Sequence, residues 1–532
     1  MTATAPAPEV LVDAPAGTPS GLLDAFWDYD DALLSNDVAR LDDAFARGDD
    51  TIRGDGTTTV VGWEAISRFR AARTDLPKRR VTAVHVRVLA DTVAVVVADV
   101  ASGTGSPGLQ TQVWQRDSDR WRVVVAHVTA PEKPLDSAIW RVVGAPLVPA
   151  TADDGPLAGE TVAVKDLFAV RGQVIGGGVP EYADAGEPQA DHAPAVDALL
   201  AAGAAVTGIS RTDQFAYSIS GQNSRTGTPR NAVDADRIPG GSSSGSASAT
   251  ARGWTSIGLG TDTAGSIRVP SAYQGLWGLR TTHGLVSTTG VLPLAQSFDT
   301  VGWMTRDPDL LIRVTDAVVL AGARAGSVTT ARSETRSDPV AVSTARAFVT
   351  APALTALAVP SSAVGTDRAA AALDAAREPL PGDLGAWFAA FRTVQAHEAW
   401  QNHGDWITAH PGVLGADVAG RFADAARVTD ADAEAARAVL DTARAVVRDW
   451  IGDRVLVLPT VADRAPGLGA DAATVDAHRA ATLRLTSLAS FAGLPAVAVP
   501  TGRSTGAPWG SVCLVGAAGT DRALVRTARA LA

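Results

Sequence analysis

The chain has almost no cysteine and no long apolar segment, and both features exclude classes of protein. Cys513 is the single cysteine in 532 residues, which excludes an internal disulfide framework and a cysteine-based metal site. No apolar run approaches the roughly 18 residues of a membrane span. The net charge of −11 argues against nucleic acid or an anionic membrane surface as a partner. We therefore expect a cytoplasmic protein, and we expect no metal or other cofactor.

Proline-rich stretches divide the chain. Residues 1–19 are rich in proline and alanine and lack the basic region of a signal peptide, so we expect a disordered lead. Five prolines between residues 131 and 156 interrupt the apolar pattern, and we expect this range to be a linker. Since 532 residues exceed one ordinary domain, the sequence predicts two domains, over residues 20–130 and 157–532.

Helical patterns precede alternating strands in the first domain. Apolar spacing predicts helices over 22–36, 38–45 and 63–73, and alternation predicts an antiparallel meander over 81–129. With the segments FWDYDDALLSNDVARLDDAF and QTQVWQRDSDRWRVVVAHV, this order resembles the AtzH-like branch of the NTF2-like fold. The resemblance implies an α+β cone with a central pocket.

The AtzH-like resemblance also implies pocket residues and a substrate class. It places five candidate side chains on or near the cavity, namely Tyr29, Arg53, Arg70, Arg73 and His127. Members of the branch are implied to act on carboxylated urea-type compounds. From the pattern alone, a histidine such as His127 on an alternating strand is more often a core residue, and two arginines on one helix are usually a solvated face. Small NTF2-like domains also serve as dimerisation modules, so a homodimer is a further expectation.

Lysine is scarce, which draws attention to the lysines that remain. Of 46 basic residues only Lys78, Lys133 and Lys165 are lysines. An ammonium group can lose its proton, whereas a guanidinium group effectively cannot. Lys165 ends an apolar run over 161–164 that predicts a buried strand, and burial favours the neutral amine. We interpret Lys165 as a candidate base, with a buried ion pair as the alternative.

Two glycine- and serine-rich turns lie between residues 239 and 270. The first reads PGGSSSG and opens a run of small residues that predicts a close-packed helix. The second, DTAGS, follows a predicted strand over 255–260 and places Ser266 at a strand end. The first turn formally fits G-x-S-x-G with Ser243 as the nucleophile of an α/β-hydrolase. That fold needs a hydrophobic strand directly before the serine, and residues 234–239 form a polar turn instead.

Together these motifs resemble the amidase signature family over about residues 157–530. The matching segments are AVKDLF, PGGSSSGSASA, GTDTAGSIRVPSAYQGLWGLRTTHG and LPLAQSFDTVGW. The resemblance implies an α/β domain with a mixed central sheet covered by helices. It also implies a Ser-cisSer-Lys triad in which Ser266 is the nucleophile, Ser242 the serine after a cis peptide and Lys165 the base. The oxyanion hole would consist of the backbone N–H groups of Thr263, Ala264, Gly265 and Ser266.

These motifs predict a hydrolase that cleaves a non-peptide C–N amide bond of a small substrate through an acyl-enzyme. The substrate stays open, because LPLAQSFDTVGW resembles the branch that includes indole-acetamide hydrolases, whereas the AtzH-like domain implies a carboxylated urea, a biuret or an allophanate-type compound. Arg268 and Gln222 are candidate substrate-binding residues, with a structural ion pair as the alternative for Arg268. From a different class, a catalytically inactive amidase scaffold is the remaining alternative.

Overall fold

The computed structural model describes residues 10–55, 59–71, 79–102, 107–129, 136–324, 347–501 and 510–531. The chain divides into two compact units, Met1–Leu135 and Asp136–Ala532. Among the helices within these described ranges, none combines the length and the hydropathy needed to cross a bilayer. Arg73 lies outside the described residues.

Within the described ranges, the first unit contains a seven-stranded sheet and three helices. In chain order its elements are β1 (Leu11–Asp13), α1 (Leu22–Ser35), α2 (Val38–Asp43), β2 (Ile52–Asp55), β3 (Thr59–Val61), α3 (Trp63–Ala71), β4 (Arg79–Ala90), β5 (Val93–Ser102), β6 (Pro107–Asp117) and β7 (Arg120–Thr129). The sheet order is β1-β4-β5-β6-β7-β2-β3, and β4 to β7 form the predicted antiparallel meander. Alternate strand residues pack against the apolar side of α1, so the core lies between the sheet and the helices.

The expectation of a disordered lead covers residues 1–19, of which residues 1–9 lie outside the described residues. For the remainder, strand β1 corrects it. Leu11–Asp13 pair in parallel with Ala83–His85 of β4. The side chains of β1 are exposed, so backbone pairing with an open sheet edge, and not burial, holds this segment. Composition alone does not predict this pairing, because the partner strand lies about 70 residues further along the chain.

The second unit begins with a sheet edge and the elements that carry the two serine turns. These are β8 (Trp140–Val148), β9 (Thr161–Lys165), α4 (Pro180–Asp184), α5 (Pro194–Ala201), β10 (Ala205–Ser210), a 3-10 turn (Gln214–Ala216), α6 (Ser244–Ala251), β11 (Ile257–Thr261), α7 (Arg268–Gln274), β12 (Trp277–Arg280), β13 (Val301–Thr305) and α8 (Pro308–Arg324). The serine turns lie before α6 and between β11 and α7.

The rest of the second unit adds a helical layer and the far side of the sheet. Its elements are β14 (Phe348–Thr350), α9 (Pro352–Thr355), α10 (Pro360–Ala372), β15 (Ala376–Arg377), α11 (Leu384–Ala409), α12 (Ala416–Ala425), α13 (Asp430–Ile451), β16 (Val455–Pro459), α14 (Ala472–Ala492), β17 (Ala496–Thr501), β18 (Gly510–Val515) and α15 (Asp521–Arg529). The eleven strands run in the order β15-β14-β16-β18-β17-β12-β13-β11-β9-β10-β8, with parallel and antiparallel pairs. This is the mixed sheet that the sequence predicts.

Strand β8 corrects the expectation that residues 131–156 form only a linker. It pairs antiparallel with β10 at the edge of the large sheet, and Ile139 and Trp140 are buried there. Pro146 lies within the strand and follows a cis peptide bond. An edge strand tolerates proline because one side of its backbone has no partner strand. The number of prolines alone therefore does not predict this strand, which forms one edge of the sheet.

Candidate active site

Three neighbouring strands of the large sheet end at the same place. Strand β9 lies between β10 and β11 and is parallel to both. In this register Lys165 is level with Ser210, while Val164 is level with Leu259. The carboxyl ends of parallel strands share one edge of a sheet, and in open α/β sheets ligands bind there. Lys165 and Thr261, the last residues of β9 and β11, therefore lie together at that edge.

Lys165 is a completely buried lysine whose partners are hydroxyl groups. Its Nζ lies 2.8 Å from Ser242 Oγ and 2.8 Å from Thr261 Oγ1. Within the described ranges it forms no ion pair. Burial removes the ammonium from water and lowers the pKa of Lys165 from its ordinary value to about 7. About half of the amine is therefore neutral at neutral pH, as a proton acceptor must be.

Ser242 is fixed by its backbone. The peptide bond between Gly241 and Ser242 is cis. The Ser242 carbonyl accepts hydrogen bonds from Thr212 Oγ1 at 2.8 Å and from the N–H of Asp213 at 3.3 Å. A Cβ on Gly241 would lie 2.7 Å from both carboxylate oxygens of Asp213, so this close approach requires glycine. These contacts hold the Ser242 hydroxyl against Lys165.

Ser266 lies beside the same turn and has an uncommitted hydroxyl. Its backbone carbonyl accepts the N–H of Ser243 at 3.4 Å, which joins the two serine turns. The Ser266 side chain makes no hydrogen bond with another residue in the part of the chain that the structure describes. The structure thus brings Lys165 and Ser242 into direct contact and ties Ser266 to the adjoining residue through the backbone.

The second turn presents free N–H groups, but fewer than the sequence predicts. The N–H of Gly265 donates to Asp262 Oδ1 at 2.9 Å, so the prediction that it serves an oxyanion was wrong. The carboxylate of Asp262 occupies that donor because it sits inside the loop. Among the described residues, the N–H groups of Thr263, Ala264 and Ser266 donate to no other group. Three backbone donors therefore remain for a negative oxygen.

Side chains from outside hold this turn in place. Thr486 Oγ1 of α14 donates to the carbonyl of Ala264 at 2.5 Å. Thr263 Oγ1 donates to Asp299 Oδ1 at 2.6 Å. Burial raises the pKa of Asp299 to about 6, although hydrogen bonds from Thr263 and from two backbone N–H groups oppose this. The turn is thus anchored from two directions.

Arg268 is a structural residue, which corrects its assignment as a substrate-binding candidate. It is buried, and its guanidinium donates from Nε to Asp262 Oδ2 at 3.0 Å and from Nη2 to Asp262 Oδ1 at 2.8 Å. Arg280 Nη1 donates to Asp262 Oδ1 at 3.1 Å. Burial alone would raise the pKa of the Asp262 carboxyl, but Arg268 and then Arg280 hold it well below its usual range. Arg268 turns inward because this carboxylate needs compensation.

Two cavities border the serine turns. One of about 190 Å³ is lined by Thr261, Thr263 and Asp299, together with the residues around Leu294. The other, of about 460 Å³, contains the candidate residue Gln222 in its lining. Its wall includes Ile219 and Ser220, whose carbonyls accept the N–H groups of Gly241 and Gly240. The position of Gln222 keeps it a candidate for substrate contact.

In the first unit, the predicted pocket residues do not all lie on one side of the sheet. Tyr29 is buried against Phe45 and Trp114. The guanidinium of Arg70 lies over the Phe45 ring at 4.0 Å and donates to the Leu41 carbonyl at 2.8 Å. The guanidinium of Arg53 lies over the Phe69 ring at 4.2 Å. These three side chains are engaged with the core side of the unit.

His127 lies on the opposite face, so its assignment to the pocket was wrong. It is exposed and is opposite Thr111 in the pairing of β6 and β7, whereas the neighbouring pairs place Gln110 and Gln112 inside. Successive strand residues point to opposite faces. Sequence reasoning missed the two glutamines, although their Q-x-Q spacing on a strand was a signal. Both are fully buried, and their Nε2 atoms have no hydrogen-bond partner among the described residues.

Thr261 and Asp262 are further residues that sequence reasoning did not single out. Both lie in the GTDTAGS segment directly before the second turn. Within the described ranges, no group of three or more His, Cys, Asp or Glu side chains is arranged to hold a metal ion.

Comparison with known families and proteins identifies chains that are similar to this one. A family profile described as Amidase matches residues 143–350, and one described as AtzH-like matches residues 12–133. Amidase 1 from Arabidopsis thaliana is 35% identical over 399 residues, which cover 71% of this chain and 93% of that protein. Translocon at the outer membrane of chloroplasts 64 from Pisum sativum is 32% identical over 71% of this chain and 66% of its own length.

Solved structures are similar over the same share of the chain. One is described as an inhibitor-bound vestigial protein complex that reveals the evolutionary origins of an s-triazine catabolic enzyme. It has a TM-score of 0.63 and 29% identity and covers 71% of this chain and 84% of that one. A crystal structure of an amidase has a TM-score of 0.60 and 29% identity over 71% of this chain and 85% of that one.

Proposed function

This chain belongs to the amidase family and carries an AtzH-like domain, and from that premise we propose that it hydrolyses the C–N bond of a small amide through Lys165, Ser242 and Ser266. The observation that carries the proposal is the buried amine of Lys165, which lies 2.8 Å from Ser242 Oγ and lacks a carboxylate partner in the described chain. A buried lysine without a carboxylate partner lowers the stability of the fold, and a role in proton transfer explains why it is present.

The first half of the reaction forms an acyl-enzyme. Neutral Lys165 accepts the hydroxyl proton of Ser242 while Ser242 Oγ accepts that of Ser266, and Ser266 Oγ attacks the carbonyl carbon. The resulting oxyanion accepts hydrogen bonds from the free N–H groups of Thr263, Ala264 and Ser266. The Lys165 ammonium then returns its proton through Ser242 to the leaving nitrogen. The C–N bond breaks, ammonia or an amine departs, and the acyl group stays on Ser266.

The second half repeats the relay with water. Lys165 accepts a proton from water through Ser242, and the hydroxide oxygen attacks the acyl carbon. The same three N–H groups stabilise the second oxyanion, and removing one such donor typically costs about 10²–10³ in rate. Collapse of this intermediate releases the carboxylic acid and returns the proton to Ser266, which leaves the enzyme in its starting state.

The first unit supports a finer proposal about its fold and role. Three helices packed on one side of a seven-stranded sheet are consistent with an NTF2-like cone. The similar structure described as a protein complex supports the expectation that this chain also assembles, for example as a homodimer. A cytoplasmic location stays a prediction.

Replacement of Ser266 tests the proposed reaction. We expect Ser266→Ala to lose at least about 10⁴-fold in kcat/KM on a small amide, because no other hydroxyl takes its place. Intact-protein mass spectrometry should find an acyl adduct on the wild type and none on the variant. Ser243→Ala is the matched control, since Ser243 would be the nucleophile of an α/β-hydrolase. Turnover by Ser266→Ala together with loss of turnover in Ser243→Ala would contradict the assignment.

A further inference from the structure

The larger cavity beside the serine turns contains two arginines in its lining. Its wall contains Gln222, Tyr273, Arg421 and Arg479, and its volume is about 460 Å³. This volume is within the roughly 300–1,000 Å³ range of cavities that hold small ligands. Neither arginine takes part in the proton relay described above, so the proposed bond cleavage does not account for these two charged side chains.

Arg479 is an arginine without an ion-pair partner among the described residues. Its Nε atom is buried and has no hydrogen-bond partner. Burial, and then the positive charges of Arg421 and Arg392, lower the pKa of Arg479 to about 10, although Tyr217 and Asp476 oppose this. The side chain nevertheless stays charged at neutral pH. A buried cation without a partner is costly, and a bound anion would remove that cost.

The carboxylates that border the cavity do not supply this anion. Arg421 donates from Nη2 to Asp417 at 3.1 Å and from Nη1 to the Tyr217 carbonyl at 2.9 Å, so Asp417 is already paired. Asp476 also lines the cavity but is exposed and forms no ion pair among the described residues. Arg479 is thus the arginine of this lining that has no ion-pair partner among the described residues.

The cavity adjoins both serine turns. Helix α14 carries Arg479 and, seven residues later, Thr486, whose hydroxyl donates to the Ala264 carbonyl of the second turn. Seven residues correspond to about 10 Å along a helix. On the other wall, the carbonyl of Ser220 accepts the N–H of Gly240 in the first turn. The cavity wall thus includes residues from two segments that contact the two serine turns.

We propose that Arg479, assisted by Gln222, binds a carboxylate of the substrate, so that the preferred substrates are amides with a carboxylate a few bonds from the scissile carbonyl. Monoamides of dicarboxylic acids and ureido acids have this chemistry. A guanidinium can hold a carboxylate through two parallel hydrogen bonds, which gives orientation as well as affinity. The inference rests on the proposed amide hydrolysis and adds its substrate class.

Matched substrates and one arginine substitution test the inference. The full chain is assayed with glutaramate, with N-acetyl-β-alanine and with the neutral valeramide, in wild type, Arg479→Gln, Arg479→Lys and Arg484→Gln. Arg484 is the control because it lies on the same helix, where its guanidinium is over the Phe388 ring at 5.4 Å. We expect Arg479→Gln to raise KM for a carboxylated amide about 10- to 100-fold and to leave valeramide within about twofold. Arg479→Lys should recover part of the loss, because it keeps the charge without the planar fork.

The outcomes separate this inference from the proposed reaction. Preference for glutaramate places the carboxylate on the acyl side, and preference for N-acetyl-β-alanine places it on the amine side; either preference, lost in Arg479→Gln and kept in Arg484→Gln, supports the inference. Equal turnover of valeramide and the acids, or an equal loss on all three in Arg479→Gln, overturns it while the proposed reaction stands. If no amide is hydrolysed, calorimetric binding to Ser266→Ala decides, since glutaramate that binds no more tightly than valeramide overturns the inference.

Discussion

Two charged groups are buried next to each other in the second unit, and they are treated in opposite ways. The carboxylate of Asp262 receives hydrogen bonds from Arg268, from Arg280 and from the backbone of the following turn. Lys165 forms no ion pair with the described residues, and its Nζ is hydrogen-bonded to two hydroxyl groups. Thr261, which touches Lys165, directly precedes Asp262 in the chain. A buried carboxylate with ion-pair partners and a buried amine without one thus lie next to each other at one strand end.

This difference distinguishes a structural residue, Asp262, from the proposed catalytic base, Lys165. Compensation keeps Asp262 ionised and holds the shape of the turn that presents the free N–H groups. Burial lowers the pKa of Lys165 to about 7 although the charges of nearby carboxylates oppose this, and at that value its amine can both take up and release a proton. We therefore expect replacements of the two residues to fail in different ways, one in turnover and the other in stability.

Replacement of the lysine should give the largest effect and confine it to turnover. Lys165→Met keeps the length of the side chain and removes the amine, so we expect kcat/KM to fall at least about 10³-fold because no base remains for the relay. The thermal midpoint should be at least as high as that of the wild type, since a buried ionisable group is replaced by an apolar one. Steady-state kinetics and calorimetry on the same preparation check both parts. Unchanged turnover would contradict the role of Lys165.

Replacement of the carboxylate should act on stability. Asp262→Asn leaves Arg268 and Arg280 buried with a neutral partner, and breaking a buried ion pair in this way costs about 3–5 kcal/mol in the free energy of unfolding. Urea denaturation measures the loss. Asp309→Asn is a suitable control, since its ion pair with Arg529 is about half exposed and should contribute little. A stable Asp262→Asn protein would show that the paired cluster is not what holds the turn.

The smallest effect should come from Thr261, the hydroxyl that joins the two regions. Thr261→Val removes one hydrogen bond to the Lys165 ammonium but leaves the one to Ser242. A hydrogen bond to a charged group favours the charged form, so its loss should lower the pKa of Lys165 and move the rising limb of the pH–rate profile to lower pH. We expect kcat to fall by about tenfold or less. An upward displacement of that limb would mean that Thr261 does not stabilise the ammonium.

Local sequence was sufficient for the catalytic candidates and insufficient for their surroundings. Lys165 stands out because lysine is rare here and because it ends a buried strand, and the glycine spacing marks both serine turns. The role of Arg268 depends on Asp262, and that of Arg479 on the absence of a partner in space, which no local pattern reveals. Contacts such as Thr486 with Ala264 join residues more than 200 positions apart.

Regular structure followed a similar rule. The meander of the first unit and the strands with continuous apolar runs were predictable because the apolar pattern of neighbouring residues indicates which side chains are buried. Strands β1 and β8 were not, since both lie in proline-rich stretches and pair at a sheet edge with strands that are distant in the chain. His127 was misplaced because the alternation of β7 decides its face, and the buried partners of that strand, Gln110 and Gln112, are polar.

The most direct test of the account is the titration of Lys165 itself. The chain contains three lysines, Lys78, Lys133 and Lys165, so selective ¹³C labelling of the lysine side chains gives three NMR signals that can be followed against pH. The account predicts that one signal titrates with a pKa of about 7, well below the ordinary lysine value of about 10.4, and disappears in Lys165→Met. Three signals that all titrate near that ordinary value would contradict the claim that a neutral buried amine drives this site.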